Sequence, residues 1–284
     1  MHEIRADQST ELLKELHILT RDGKMNQDSR RKLKQVNHLC QFIEPLLEEI
    51  RADPTGAGGI QLVDHGAGKS YLGFILYDSF FKGQEAGSHI YGIETRAELV
   101  DKSRELAARL GFAGMTFLNL TVEQSIASDQ LPATVDIVTA LHACNTATDD
   151  AIRFALAKQA RYIVLVPCCQ AEVAAALRRH KGQVLASPLA EVWRHPLHTR
   201  EFGSHVTNVL RCLQLEAHGY QVSVTELVGW EHSMKNELII ARYKDLPRRR
   251  PAERLHALLQ SLGLEEMGTR FFTDGHSLQP SPQE

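Results

Sequence analysis

Ile60-Gln61-Leu62-Val63-Asp64-His65-Gly66-Ala67-Gly68-Lys69-Ser70 is the stretch that decides the fold. A short apolar run enters a turn carrying two glycines and leaves it in an amphipathic segment, Lys69 to Phe81, which predicts strand, tight turn and helix in succession. Such a junction brings free backbone N–H groups and the positive end of a helix to the mouth of a sheet, a place suited to an anionic or polar ligand. Gly66 and Gly68 allow the backbone to turn sharply and to approach the ligand, because a Cβ at either position would stand in the way.

Outward from this stretch the same alternation repeats. His89-Ile90-Tyr91-Gly92-Ile93 is followed by an amphipathic run from Arg96 to Leu110, and Met115 to Leu118 makes a third short apolar segment. Val135 to Ala140, a helical pattern from Thr148 to Gln159, and Tyr162 to Val166 complete five strands of an α/β chain with a parallel sheet. After a mixed segment and a helix around His205 to Ala217, Gln221 to Val228 and Glu237 to Arg242 read as a closing antiparallel hairpin. On the amino-terminal side, Leu33, Val36, Cys40, Ile43, Leu47 and Ile50 fall three or four apart, predicting a helix with a kink at Pro45. A short helix around Leu255 to Leu262 and a Ser/Pro/Gln tail follow the sheet. The expected organisation is a helical extension over 1–54, the α/β domain over 55–245, and a helix with a flexible tail over 246–284.

Three ligands could use the turn. A phosphate-binding P-loop needs a glycine where Val63 stands, and a dinucleotide fingerprint needs a small residue where Tyr71 stands. S-adenosylmethionine remains. Its ribose hydroxyls call for a carboxylate at the end of the second strand, and Glu94 fits; Asp64 could bond the turn or the amino group of the ligand. Alone, a Gly-x-Gly turn is also compatible with a tight connection that binds nothing.

With Glu94 and the closing hairpin included, residues 55–243 resemble the class I S-adenosylmethionine-dependent methyltransferases, whose fold is a Rossmann-like seven-stranded sheet. Ala140-Leu141-His142-Ala143-Cys144 with Ala147-Thr148-Asp149, then Val166-Pro167-Cys168-Cys169, then His232-Ser233-Met234-Lys235-Asn236, are similar to the branch found in the glutathione S-transferase C-terminal domain-containing protein and its relatives. The resemblance implies S-adenosylmethionine as cofactor, held by Gly66, Gly68 and Glu94. It also sets Thr121 and Val122 near the adenine and brings Leu141 to the pocket.

The acceptor is the open question. The Asn/Asp-Pro-Pro-aromatic motif of amine methylation is absent after the fourth strand, where Leu141-His142-Ala143-Cys144-Asn145 stands instead. In an open α/β sheet the ends of the fourth and fifth strands share the cofactor crevice, so Cys144, Cys168 and Cys169 could converge there. A thiolate of Cys168 or Cys169 could add to C6 of a cytosine in RNA; the competing reading is that small thiols at strand ends simply pack. His142 is either a general base or a loop anchor, and Lys235 and Asn236 either meet substrate or serve the turn. A zinc site from His142 and these cysteines lacks the usual Cys-x-x-Cys spacing, and no metal is expected.

Composition sets the outer bounds. The chain has 284 residues, 43% hydrophobic and 24% charged, with a formal charge of −3, so nothing attracts nucleic acid globally. Arg30-Arg31-Lys32 with Lys34, and Arg248-Arg249-Arg250, are the local hints of an RNA partner, set against the commoner reading of a solvated charged face. No run approaches the roughly 18 apolar residues of a membrane span. Five scattered cysteines argue against a disulfide framework and for a reducing compartment, which makes the cytoplasm the expected location. Two rival classes remain: a catalytically idle module of the same fold that binds RNA or protein, and an NAD-dependent oxidoreductase.

Overall fold

The computed structural model describes residues 4, 8–53, 59–83, 87–141, 146–167, 171–179, 191–192, 194–227, 237–245 and 250–271. Its centre is β1 (Gln61–His65), buried along almost its whole length because it pairs in parallel with β2 (His89–Glu94) on one side and β4 (Ile137–Leu141) on the other. With β3 (Met115–Asn119), β5 (Tyr162–Val166), β6 (Tyr220–Glu226) and β7 (Glu237–Tyr243) the described residues form a seven-stranded sheet in the order β3-β2-β1-β4-β5-β7-β6. β7 runs antiparallel to both β5 and β6, so the closing hairpin inserts its second strand next to the parallel set.

Strict alternation assigns each strand residue to a face. In β5, Tyr162, Val164 and Val166 enter one core, while Ile163 and Leu165 enter the other. The first core is covered by α1 (Thr10–Glu15), α2 (Gln27–Arg51), α3 (Tyr71–Leu76) and α4 (Ala97–Leu110). The second is covered by α5 (Val122–Ala127) and α6 (Thr146–Ala157), with Leu215 of α8 (Pro196–Ala217) reaching in. A third, smaller core joins α7 (Glu172–Arg179), α8, α9 (Pro251–Ser261) and α10 (Gly268–Phe271).

α2 starts where Asn26 caps it, its side chain accepting from the Ser29 N–H at 2.8 Å. Leu33, Val36, Leu39, Cys40, Ile43, Leu46, Leu47 and Ile50 are buried on one face, and that continuous stripe holds the helix together through Pro45 rather than ending it there. At its far end the Glu49 carboxylate accepts from Arg242, and Asp53 pairs with Arg161 at 2.7 Å. These residues lie at the amino edge of the parallel strands, because Arg161 immediately precedes β5.

Three helices, α1, α5 and α7, carry too few turns or too little contrast to stand out from sequence periodicity. α8 begins at Pro196, ahead of the predicted His205, because the proline takes the first helical position, where its missing N–H is harmless. The predicted helix after β1 is split: α3 gives way to a π-helical turn, Tyr77–Phe81. No helix among the described residues is long and apolar enough to cross a membrane.

Candidate functional site

The strand order reverses between β1 and β4, and the helices that follow these two strands pack on opposite faces. A crevice opens at the carboxyl edge at such a reversal. Asp64 and Thr139 face each other across it as register partners, and the Thr139 hydroxyl donates to Asp64 Oδ1 at 2.8 Å. Burial pushes the Asp64 carboxyl up to about 7; the Thr139 hydrogen bond opposes this and the Glu94 charge adds to it. The next residue, His65, points to the other face and lies against the Phe154 ring, centroids 5.4 Å apart. Neither of its ring nitrogens has a hydrogen-bond partner among the described residues, and burial lowers its pKa to about 4.

Beyond His65 the chain doubles back. Gly66 (φ 71°) and Gly68 (φ 59°) adopt left-handed conformations, and the N–H groups of Gly66 and Ala67 both donate to the Ile93 carbonyl, tying the turn to β2. Glu94, the last residue of β2, is buried beside the turn and accepts from the Gly68 N–H at 2.9 Å through Oε2. Burial alone would raise the Glu94 pKa; the hydrogen bonds from Arg96 and Gly68 more than reverse that and hold it below the usual carboxylate range. A Cβ added at Gly68 would meet only the Arg96 guanidinium, Nη2 at 3.8 Å, within 4 Å.

Ser70 stands at the third position of this turn with φ 52° and ψ 36°. Its buried hydroxyl has no hydrogen-bond partner among the described residues and fills the space where a Cβ on Gly73 would sit, 2.5 Å away. A left-handed non-glycine residue costs about 1–2 kcal/mol and an unpaired buried hydroxyl adds to that, against about 0.5–1 kcal/mol of extra chain entropy for glycine. Ser70→Gly is therefore expected to raise stability by about 1 kcal/mol in urea denaturation.

A second polar group gathers at the same edge, farther along the sheet. Arg211 of α8 is fully buried and forks onto Asp149 in the first turn of α6, Nε to Oδ1 at 2.7 Å and Nη2 to Oδ2 at 3.0 Å. Its Nη1 donates to Asn208 Oδ1 at 3.1 Å, and Asn208 in turn donates to Glu237, the first residue of β7, at 2.7 Å. Arg270 of α10 also binds Asp149, Nε to Oδ2 at 3.0 Å, and pairs with Glu172, the first residue of α7.

A family described as a methyltransferase domain matches residues 31–176, half of the chain. The chain belongs to that family. No curated protein matches the methyltransferase. Among solved structures it is similar to the magnesium protoporphyrin IX methyltransferase of Synechocystis PCC 6803 with bound SAH, at 17% identity over 83% of this chain and 95% of that one, TM-score 0.46. It is similar also to the precorrin-6y C5,15-methyltransferase of Geobacter metallireducens, at 16% identity over 71% and 86%, TM-score 0.40. For the N-terminal domain of human METTL16 in complex with SAH the identity is 9%, over 76% and 71%, with a TM-score of 0.43.

Asp64 near the end of β1, the turn with Gly66 and Gly68, and Glu94 at the end of β2 lie beside one another. Thr121 caps α5 just after β3, its side chain accepting from the Gln124 N–H, and Val122 is buried in the second core. Leu141 ends β4 at the crevice. His142, Cys144, Cys168, Cys169, Lys235, Asn236, Arg248 and Arg249 lie outside the described residues. Of the other thiols, Cys40 is buried in α2, and burial pushes Cys212 up to about 12, so it stays a neutral thiol. Arg30, Arg31, Lys32 and Lys34 are exposed on the first turns of α2. Ser29 there bonds the His17 carbonyl, and nearby Glu15 pairs with Arg109 in the last turn of α4. Arg250 precedes α9 and pairs with Glu253 at 3.4 Å. Arg211, Arg270 and Arg96 are residues beside the crevice that sequence reading passes over; Asp149 stands in the Ala147-Thr148-Asp149 motif, which assigns it no partner.

Proposed function

We propose that this methyltransferase takes its methyl group from S-adenosylmethionine, bound at the Asp64–Gly68 turn and Glu94. The observation that carries the reading is Glu94: a carboxylate at the end of β2, held below its usual pKa and fixed against the turn by the Gly68 N–H. A ribose with two neighbouring hydroxyls needs an ionised carboxylate in that place, and the nearest group over Gly68 is the exposed Arg96 side chain rather than backbone or core. When bound, the cofactor supplies an electrophilic methyl group. The chain's part is to hold it, to shield it from water and to orient the acceptor.

RNA is the acceptor proposed first, with a protein or a small molecule second. Support for RNA comes from the exposed Arg30, Arg31, Lys32 and Lys34 and from Arg250 beside Arg248 and Arg249. On this reading Cys168 or Cys169 supplies a thiolate, Cys144 and His142 line the same end, Thr121, Val122 and Leu141 border the cofactor, and Lys235 with Asn236 meets the acceptor. The resemblance to the glutathione S-transferase C-terminal domain-containing branch and a cytoplasmic location belong to the same proposal.

Titration calorimetry with S-adenosylhomocysteine tests it. The wild type is expected to bind, and Glu94→Gln to bind about tenfold more weakly, the effect of removing charge from a hydrogen bond worth about 1.5–3 kcal/mol. Absence of binding at millimolar ligand would remove the cofactor assignment and favour an idle module. Transfer of labelled methyl groups to RNA, protein and small-molecule fractions then separates the acceptors.

A further inference from the structure

We infer that Arg96 is a built-in competitor of the cofactor, its guanidinium occupying on Glu94 the two acceptor positions that a ribose diol requires. The inference rests on the cofactor reading above. Arg96 follows β2 by two residues, and its backbone N–H donates to Glu94 Oε1 at 3.1 Å. Its side chain then folds back over the same carboxylate, Nε to Oε1 and Nη2 to Oε2, each at 3.1 Å. Thr95 Oγ1 donates to Oε1 at 3.3 Å, and the Gly68 N–H donates to Oε2 at 2.9 Å.

Glu94 thus receives five donors on a carboxylate that offers about four acceptor positions. It has no acceptor left for a ligand. The two backbone donors are fixed by the turn and the strand end, whereas the guanidinium is able to leave and the Thr95 hydroxyl, at 3.3 Å, is able to rotate away. Without the guanidinium three donors remain, two on Oε1 and one on Oε2, and rotation of Thr95 then leaves one position open on each oxygen, the pattern two vicinal hydroxyls need. Arg96 Nη2 also stands 3.8 Å from the Cβ position of Gly68, over the surface that the ligand would cover. The Arg96 side chain is 60% exposed, so solvent is ready to receive it, and as the residue before α4 it makes no side-chain cap bond that the motion would break.

With Glu94 buried but the Arg96 guanidinium in solvent, the pair is screened on one side, so its removal has a modest effect of unusual sign. Arg96→Ala and Arg96→Met are expected to bind S-adenosylhomocysteine two- to fivefold more tightly than the wild type in calorimetry at low salt. The difference should shrink towards one at about 1 M salt, where screening already weakens the Arg96–Glu94 pair. Thermal unfolding without ligand checks that both variants fold. Binding by all three proteins with equal or weaker affinity in both variants overturns the competitor and leaves the cofactor reading standing. If none of the three binds, both fall. Binding by the variants alone supports both.

Discussion

Asp149→Ala is expected to lower stability by about 3–5 kcal/mol, because it leaves the guanidinium of Arg211 buried without its forked partner. The side chains of Arg211 and Asp149 are 0% and 10% exposed, so water cannot replace the lost carboxylate. Arg270 would lose its Asp149 contact as well and, among the described residues, keep its ion pair with Glu172. For a chain of this length the loss corresponds to a fall of roughly 6–20 °C in Tm, readable by calorimetry. The double variant Asp149→Leu/Arg211→Met should recover much of it, since apolar residues of similar volume replace buried ion pairs at little cost. A drop below 1 kcal/mol for Asp149→Ala would show that Arg211 finds another partner.

The second large effect is hidden until one residue is changed. Asp64 rises from 3.8 unfolded to about 7 folded, so between those values the native state keeps a proton that the unfolded chain has lost, and stability falls as pH rises. His65 drops from 6.5 to about 4, so in that window the unfolded chain holds the extra proton, and stability rises with pH. Each slope is about 1.4 kcal/mol per pH unit, and across roughly pH 4 to 6.5 they oppose each other. The contributions of these two residues to the wild-type profile should therefore largely cancel there. Asp64→Asn is expected to gain about 3 kcal/mol in stability between pH 4 and 6.5, and His65→Leu to lose a similar amount over the same interval. Urea denaturation at half-unit steps measures both. Parallel profiles for wild type and variants would refute the compensation.

The parallel strands were legible because burial on both faces leaves runs such as Tyr162-Ile163-Val164-Leu165-Val166 with almost no polar residue, and the predicted β5 matches the observed one. The turn and Glu94 were legible for a related reason: strand ends and glycines fix local geometry within a few residues. What escaped was set by distance. Asp149 meets Arg211 at a separation of 62 residues and Arg270 at 121, and no spacing rule links them. Arg96 escaped differently. Nothing in Glu94-Thr95-Arg96 indicates that the side chain folds back on its neighbour rather than into water. Pro45 shows tertiary burial overruling a local rule, since the apolar stripe of α2 continues on both sides of it.

The polar cluster on Asp149 also fixes an order of events during synthesis. The family-matched span, residues 31–176, contains Asp149 but neither arginine that binds it. At about 5–20 residues per second, the 121 positions separating Asp149 from Arg270 take roughly 6–24 s to be made. Until then the bonds of Arg270 to Asp149 and Glu172 are unmade, and Asp149 has at most Arg211, which follows it by 62 positions. The turn after β1, by contrast, needs only residues up to Glu94 for its hydrogen bonds. One end of the crevice can thus form early in translation, while the other is completed only when Arg270 arrives.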